Sequence, residues 1–326
     1  MTDTTPQTDP TMWTGLLHAG LAGSFLGLPH VAANADALRK HSARAAIYGL
    51  PFDATNISRT GANYGPRGIR EVSCQFLTYY ATFDFDLVEA LNPVDCGDCA
   101  VALANPDRTF ASAQADIGAI LDADALPVTF GGDHSITIPA VRAVAERRSS
   151  PGLVLIDTHL DTAPDVGGEL LNHCCPITRA VDAGFDPHKI ALVGISGWMN
   201  PRTELAYCRE RGITVLWLDD LWEKGSARIV EEALAVAGAG DGLYLSFDVD
   251  SLDAAHAPGT CCPTPGGLTT REAIELVRGI ARHGLVGVDV VETAPSLDAT
   301  PASALIAGRI ALEAMAFHAG AGTQAR

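Results

Sequence analysis

Short, continuously apolar runs recur along the chain, separated by longer stretches with helical patterning. These runs are too short for buried helices and have the composition of strands covered on both faces. They span residues 45–48, 127–130, 152–156, 190–193, 213–218, 243–247 and 285–291. Helical patterns occupy residues 135–148, 227–237, 270–282 and 302–318. This alternation predicts a single α/β domain with helices on both faces of a central, mainly parallel sheet.

The charge and cysteine content limit the classes of partner. The formal net charge is −17 at pH 7, so no basic stripe is available for a phosphate backbone, and we expect no nucleic-acid partner. The apolar stretch 12–29 lacks a preceding basic residue and contains His18 and Pro29, which argues against a signal peptide and a membrane span. Eight cysteines are too few for a disulfide scaffold in 326 residues, which favours a reducing, cytoplasmic location.

Carboxylate and imidazole side chains follow three of the predicted strands. They lie in the segments Gly-Gly-Asp-His134-Ser, Asp157-Thr-His159-Leu-Asp161 and Ser-Phe-Asp248-Val-Asp250. Side chains alternate faces along extended backbone, and the carboxyl ends of parallel strands meet at one edge, so we expect all six groups to converge. Four carboxylates at apolar strand ends would repel one another unless cations neutralised them. The set suits two divalent metals, such as Mn²⁺, that share ligands and activate a water molecule.

The three segments resemble the metal motifs of the arginase and agmatinase family of ureohydrolases, in its agmatinase-like branch. The resemblance extends from about residue 49 to the C-terminus and includes residues 49–53, 59–70 and 258–268. It implies a three-layer αβα domain over residues 31–326, built on a mainly parallel sheet of about eight strands. Residues 25–29 are similar to the N-terminal extension of agmatinase-type members. We therefore expect an extension over residues 1–30, with the first ten residues mobile.

The resemblance also implies a reaction, in which a guanidino compound is hydrolysed to urea and an amine. Its metal ligands would be His134, Asp157, His159, Asp161, Asp248 and Asp250. His173 would protonate the departing amine, because an imidazole has a pKa near neutral pH. Glu292 would hold the guanidinium with two hydrogen bonds, and Asp161 would contact its nitrogen groups. Mn²⁺ is the default metal of the family and Ni²⁺ is an alternative, while the assembly would be a homotrimer or homohexamer or include a homologous subunit.

Several residues around the expected substrate differ from the usual family pattern. Cys174 and Cys175 follow His173 where Gly and a small polar residue are common, and we expect both cysteines to contact substrate. Neutral packing of these thiols is the competing interpretation. The loop 162–172 contains Asp165 but no Arg or Lys, so it offers little to a substrate carboxylate. This pattern favours agmatine, guanidine, an N-alkyl guanidine or a biguanide over arginine.

The sequence is also compatible with other functions. One is a guanidino-acid hydrolase of the guanidinobutyrase type, and another is a hydrolase of formimino compounds, which would release no urea. A further alternative is a non-catalytic subunit that supports an active homologue. Such a subunit would be expected to lose metal ligands, whereas this chain has all six motif residues.

Overall fold

An eight-stranded sheet forms the centre of the molecule. The computed structural model describes residues 23–102 and 105–322. The strands of the sheet are β1 (Ala45–Leu50), β4 (Val94–Asp98), β5 (Leu126–Gly131), β6 (Gly152–Ile156), β7 (Ile190–Ile195), β8 (Thr214–Trp217), β9 (Leu243–Asp248) and β10 (Gly287–Val291). Their order is β4-β1-β5-β10-β9-β6-β7-β8, and all neighbouring pairs are parallel. A separate antiparallel pair consists of β2 (Tyr79–Tyr80) and β3 (Phe85–Asp86).

Helices cover both faces of the sheet. Those on the face toward which Ala46 and Tyr48 point include α1 (Ala35–His41), α4 (Pro106–Asp122), α5 (Thr137–Ala145), α6 (Pro176–Ala183) and α7 (Arg202–Arg211). Those on the face toward which Ala45 and Ile47 point include α2 (Gly65–Val72), α3 (Leu87–Leu91), α8 (Leu218–Lys224), α9 (Ser226–Ala237), α10 (Thr270–Ala281) and α11 (Ala302–His318). Alternate residues of β1 thus enter two separate apolar cores, as a strand covered on both faces requires. The α/β class and the three-layer arrangement are confirmed.

Every apolar run that predicted a strand lies on a strand of the sheet, with ends that differ by a few residues. The pattern did not predict β4, whose sequence Val-Asp-Cys-Gly-Asp contains no continuous apolar run. This strand lies at the sheet edge, where its Asp95 is buried against the Arg70 guanidinium at 2.8 Å. Val94 and Cys96 pack in one apolar core, whereas Asp95 between them forms a buried ion pair where an inner strand would have an apolar residue.

The first ten residues and most of the expected N-terminal extension lie outside the described residues. Within the described part, Phe25 is fully buried, and its ring meets that of Phe130 at 5.0 Å between centroids. The backbone N–H of Phe25 also donates to Asp95 at 2.7 Å. Residue 25 therefore packs on the same core as the sheet, and the boundary at residue 30 stays a prediction. None of the helices in the described ranges is long and apolar enough to cross a membrane.

Candidate metal centre

The predicted ligand residues follow strands that are near one another in the sheet. His134 begins a 3₁₀ turn after β5, and Asp157 comes directly after β6. Asp248 is the last residue of β9, and Asp250 lies in the 3₁₀ turn that follows. Because the sheet order is β5-β10-β9-β6, these strand ends form one continuous edge.

The turn that carries His134 depends on a close approach of two backbone segments. A Cβ atom on Gly132 would lie 1.7 Å from the carbonyl oxygen of Phe52, so only glycine fits there. The Asp133 carboxylate then links the two segments, since it accepts from the Ser135 N–H at 3.1 Å and from the Thr55 N–H at 3.0 Å. This packing holds His134 over the edge of the sheet.

Two overlapping groups of ligand atoms result. Nδ1 of His134 lies 3.1 Å from Oδ2 of Asp157 and 3.1 Å from Oδ2 of Asp248. It also lies 2.9 Å from Oδ2 of Asp161. Nδ1 of His159 lies 3.5 Å from Oδ1 of Asp157. Asp157 thus faces both histidines with different oxygens, as a carboxylate shared by two cations would.

The second group is completed by Asp250. Its Oδ2 lies 3.2 Å from Nδ1 of His159. Ligand atoms of Asp157, His159 and Asp250 all lie within 4.8 Å of one another, as do those of His134, Asp157 and Asp248. The structure therefore brings all six predicted residues together.

Buried polar atoms in this cluster lack the partners that folded proteins normally provide. Nδ1 of His134, Oδ2 of Asp157 and Oδ1 of Asp250 are buried, and no group of the described chain forms a properly directed hydrogen bond to them. Such orphaned atoms are costly unless a ligand satisfies them. Carboxylate oxygens and imidazole nitrogens are suitable ligands for divalent transition metals, so the residues present fit a metal pair.

The pKa shifts in the cluster indicate that its carboxylates lack a compensating positive charge. Burial and the neighbouring Asp250 and Asp157 raise the pKa of Asp248 well above its ordinary value. Burial opposes protonation of His134, but the three aspartate carboxylates close to its Nδ1 raise its pKa well above the ordinary value. Without cations, the cluster would retain protons; divalent ions would displace them.

Two residues near the cluster have backbone conformations that side chains other than glycine rarely adopt. Asp161 has a φ of 49° and Glu292 a φ of 60°. Left-handed backbone of this kind costs about 1–2 kcal/mol at a non-glycine residue, and such strain tends to occur at functional sites. Both residues were predicted to contact the substrate.

Glu292 follows β10 and is almost fully buried beside the ligand cluster. Its Oε1 accepts from the backbone N–H of His134 at 2.9 Å, and its Oε2 accepts from the Asn56 amide at 3.3 Å. Nδ1 of His173 lies 3.2 Å from the same Oε1. Burial opposes ionisation, but the contacts with His173 and His134 hold the pKa of Glu292 below its ordinary value.

His173 lies between Glu292 and the loop after β1. Its Nε2 accepts a hydrogen bond from the Ile57 backbone N–H at 3.2 Å, so in the neutral ring the proton is on Nδ1, facing Glu292. Burial disfavours the charged ring, yet contacts with the Cys174 thiol and Glu292 raise the pKa of His173 to about 12. The geometry thus places one proton on Nδ1 of His173, where the Glu292 carboxylate stabilises it, and a second proton on Nε2 would have to displace the contact with the Ile57 N–H.

A cavity of about 530 Å³ opens above the cluster. Of the predicted substrate contacts, Asp165, Cys174 and Glu292 line it. Cys175, which directly precedes α6 and is fully buried, is not among the lining residues. The structure adds Glu204 of α7, a lining residue that lies in none of the three motifs.

Glu204 is buried, and its surroundings shift the pKa of its carboxyl group. Its Oε2 accepts a hydrogen bond from the backbone N–H of Thr162 at 2.9 Å. Thr162 directly follows Asp161 in the sequence. Burial and the charge of Asp161 raise the pKa of Glu204 to about 7. No spacing pattern links Glu204 to the motifs, since 42 positions separate it from Thr162.

The sequence model of the Arginase family matches residues 43–317. The chain belongs to the arginase family. Members of this family have a binuclear divalent-metal centre, in agreement with the candidate ligands found here. The chain is accordingly a ureohydrolase, an enzyme that hydrolyses carbon–nitrogen bonds of guanidino compounds.

Individual relatives cover most of the chain. A mitochondrial agmatinase of Gallus gallus is 35% identical over 280 residues, which is 86% of this chain and 82% of the relative. A guanidinobutyrase of Pseudomonas aeruginosa is 33% identical over 297 residues, covering 90% and 91%. The crystal structure of proclavaminate amidino hydrolase from Streptomyces clavuligerus superposes with a TM-score of 0.85 at 30% identity, covering 91% of this chain and 97% of that one. These relatives share the family and differ in the substrate that their names give.

Proposed function

We propose that this ureohydrolase acts on a cationic or neutral guanidino compound in preference to arginine. Agmatine, guanidine, an N-alkyl guanidine and a biguanide are the candidates. The observation that carries this proposal is the composition of the cavity wall. Glu204 and Asp165 contribute carboxylates, and the described residues that line the cavity include no Arg and no Lys. A substrate carboxylate would therefore meet negative charge without a counter-ion, whereas a cationic tail would be attracted.

The rest of the wall is mainly apolar. Ile57, Leu160, Val166 and Met199 line the cavity together with the two acidic groups. Apolar side chains favour the methylene or alkyl portion of a substrate, since water leaves both surfaces on binding. This composition supports a short aliphatic tail between the guanidinium and any distal cation.

We assign the metal-binding roles to the six clustered residues. His134, Asp157, Asp161 and Asp248 would hold the first or both cations, and His159 and Asp250 would complete the second site. Two bound cations lower the pKa of a water molecule and so supply a nucleophile near neutral pH. Mn²⁺ is the proposed metal, with Ni²⁺ as the alternative that the same ligands accept. Elemental analysis of protein purified without added metal would distinguish the two.

The remaining roles belong to side chains that do not bind metal. We propose that Glu292 binds the planar guanidinium of the substrate. Its Oε2 also accepts a hydrogen bond from the Asn56 amide. Asp161 would orient a nitrogen group of the substrate. His173 would deliver a proton to the departing amine, because an amine leaves readily only when protonated. Its placement between Glu292 and the Ile57 N–H supports this assignment, since both contacts restrict the orientation of the ring.

A urea-release screen tests the substrate proposal. The panel contains agmatine, guanidine, an N-alkyl guanidine, a biguanide, arginine and 4-guanidinobutyrate, each with Mn²⁺ and with Ni²⁺. We expect the highest kcat/KM among the first four compounds. A preference for 4-guanidinobutyrate would favour the guanidino-acid alternative. This compound is in the panel because one relative is a guanidinobutyrase. If no compound of the panel releases urea, the other two alternatives gain support, and a separate assay for turnover of a formimino compound would distinguish the formimino hydrolase from the non-catalytic subunit.

We also propose a cytoplasmic enzyme that assembles as a homotrimer or homohexamer. All eight cysteines are unpaired, which supports a reducing compartment. Trp198, Met199 and Trp222 are large apolar side chains that are more than half exposed, which supports burial against another subunit. Light scattering on the purified chain tests the assembly, and a monomer would exclude it. A mixed assembly would appear as activity that requires a homologous subunit.

A further inference from the structure

A buried carboxylate lies beneath the metal cluster, on the strand between the two that carry His134 and Asp248. Asp289 is in the middle of β10 and is fully buried. Its Oδ2 accepts from the Tyr244 hydroxyl at 2.6 Å and from the Thr137 hydroxyl at 2.8 Å. Its Oδ1 accepts from the Ser246 hydroxyl at 2.5 Å. Three hydroxyl donors around one carboxyl group indicate the ionised form.

The Ser246 hydroxyl links this carboxylate to a metal ligand. Its oxygen lies 3.0 Å from Nε2 of His134. Because the hydroxyl proton goes to Asp289, the oxygen can only accept from the imidazole. Nε2 of His134 must therefore carry a proton. In a neutral ring, this leaves the lone pair on Nδ1, the atom that faces Asp157, Asp161 and Asp248 and has no directed partner in the described chain.

We infer that Asp289 is a positioning residue of the metal centre, which acts through Ser246 to hold His134 in the tautomer and orientation that bind a cation. The inference rests on the proposed metal centre and extends it to a residue that contacts neither metal nor substrate. A carboxylate behind a ligating histidine also increases the electron density that the imidazole offers to the metal.

The charge of Asp289 supports this function. The described chain places no Arg or Lys in hydrogen-bond or ion-pair contact with it, although an ionised carboxylate in an apolar interior is costly without a counter-charge. Burial raises the pKa of Asp289, and the charge of His134 and the three hydroxyl donors oppose this effect. A cation at Nδ1 of His134 would provide the counter-charge for Asp289, which is linked to that ring by the hydrogen bonds through Ser246.

Two substitutions interrupt the hydrogen-bonded path from Asp289 through Ser246 to His134 at different points. Asp289→Asn removes the charge with little change in volume, and Ser246→Ala removes the hydroxyl between carboxylate and imidazole. Tyr244→Phe is the matched control, because it removes another donor to Asp289 and leaves the Ser246–His134 contact intact. Metal-free forms of all three and of the wild type would be titrated with Mn²⁺ against a chelating indicator, and their thermal unfolding would be followed without metal.

We expect Asp289→Asn and Ser246→Ala to weaken Mn²⁺ binding by about 10- to 100-fold, the usual effect of losing the group behind a ligand. Tyr244→Phe should change the affinity less than about threefold while lowering the Tm of the metal-free protein. The double variant Asp289→Asn/Ser246→Ala should bind no more than about twofold more weakly than Ser246→Ala, since both changes break one chain.

Other results would overturn the inference. If Asp289→Asn behaves like Tyr244→Phe, with a lower Tm and unchanged affinity, Asp289 only stabilises the core. Additive losses in the double variant would mean that the two residues act independently. If the wild type itself binds no metal, the proposed metal centre fails; if it binds two ions and Asp289→Asn binds them equally well, only this inference fails.

Discussion

The carboxylate of Glu292 accepts a hydrogen bond from the backbone N–H of His134 at 2.9 Å. The residue proposed to hold the guanidinium is thus tied directly to the turn that carries a proposed metal ligand. Asp161, a member of the cluster, and Glu292, beside it, also share strained, left-handed backbone. The enzyme therefore holds its substrate contacts in place through the same segments that hold its metal ligands.

The charge of Glu292 is the first test of this arrangement. Glu292→Gln keeps the acceptor for the His134 N–H and loses the ion pair with a guanidinium. We expect kcat/KM to fall by about 10- to 100-fold or more, the value of a charge-assisted hydrogen bond, with metal content unchanged. The exposed Glu223 provides a control, since Glu223→Gln should leave kinetics unaltered. Full activity in Glu292→Gln would remove the assigned substrate contact.

The proton-transfer role of His173 predicts a specific kinetic defect. His173→Asn removes the titratable ring and keeps a polar side chain of smaller size. General acid catalysis contributes about 10²- to 10⁴-fold, so kcat should fall by at least 10²-fold while KM changes less than about threefold. Steady-state urea release measures both constants. A loss confined to KM would show that His173 binds substrate without supplying a proton.

Glu204 predicts a dependence of substrate choice on charge. Glu204→Gln should raise the KM for agmatine by about tenfold and leave the KM for guanidine, which has no tail, within about twofold. Glu210→Gln, an exposed change on the same helix, is the control. Equal effects on both substrates would place the tail elsewhere.

The same residue predicts the direction of a pH effect. Burial and Asp161 raise the pKa of Glu204 to about 7, so the carboxyl is neutral below that pH and charged above it. The ratio of the KM for agmatine to that for guanidine should therefore fall over about two pH units as the pH rises through the pKa of Glu204. Cations that neutralise Asp161 would move the midpoint lower. In Glu204→Gln the ratio should be flat over this range.

Adjacent cysteines should respond differently to the same substitution. Cys174 lines the cavity, whereas Cys175 is fully buried and does not line it. Cys174→Ala should change the ratio of kcat/KM between guanidine and an N-alkyl guanidine several-fold at an unchanged Tm. Cys175→Ala should leave that ratio alone and destabilise the fold by about 1 kcal/mol, the cost of a small buried cavity. The reverse pattern would contradict the assigned orientations.

The parts of the fold that could be predicted from sequence are those whose residues share one environment. Strands β6 and β9 are covered on both faces, and their apolar runs revealed them. β4 was not predicted, because it lies at the edge of the sheet and buries Asp95 against Arg70. An ion pair made by residues 25 positions apart leaves no local pattern.

The site divides in the same way. His134, Asp157 and Asp248 adjoin strand ends, so the edge to which parallel strands deliver them was predictable. Glu204 reaches the cavity only because α7 packs against the segment after Asp161, a tertiary contact without a sequence period. Likewise, the sequence could not tell that α6 begins so as to turn Cys174 toward the cavity and Cys175 into the core.

Titration of the metal-free enzyme with Mn²⁺, with urea release from agmatine or guanidine as the readout, tests the central claim most directly. The six clustered side chains predict that activity rises to a plateau at two ions per chain. His134→Ala, measured beside the wild type, should not reach it at any Mn²⁺ concentration that leaves the protein folded. Full urea release without metal, a plateau at one ion per chain, or an active His134→Ala enzyme would contradict the assignment of this cluster as a binuclear catalytic centre.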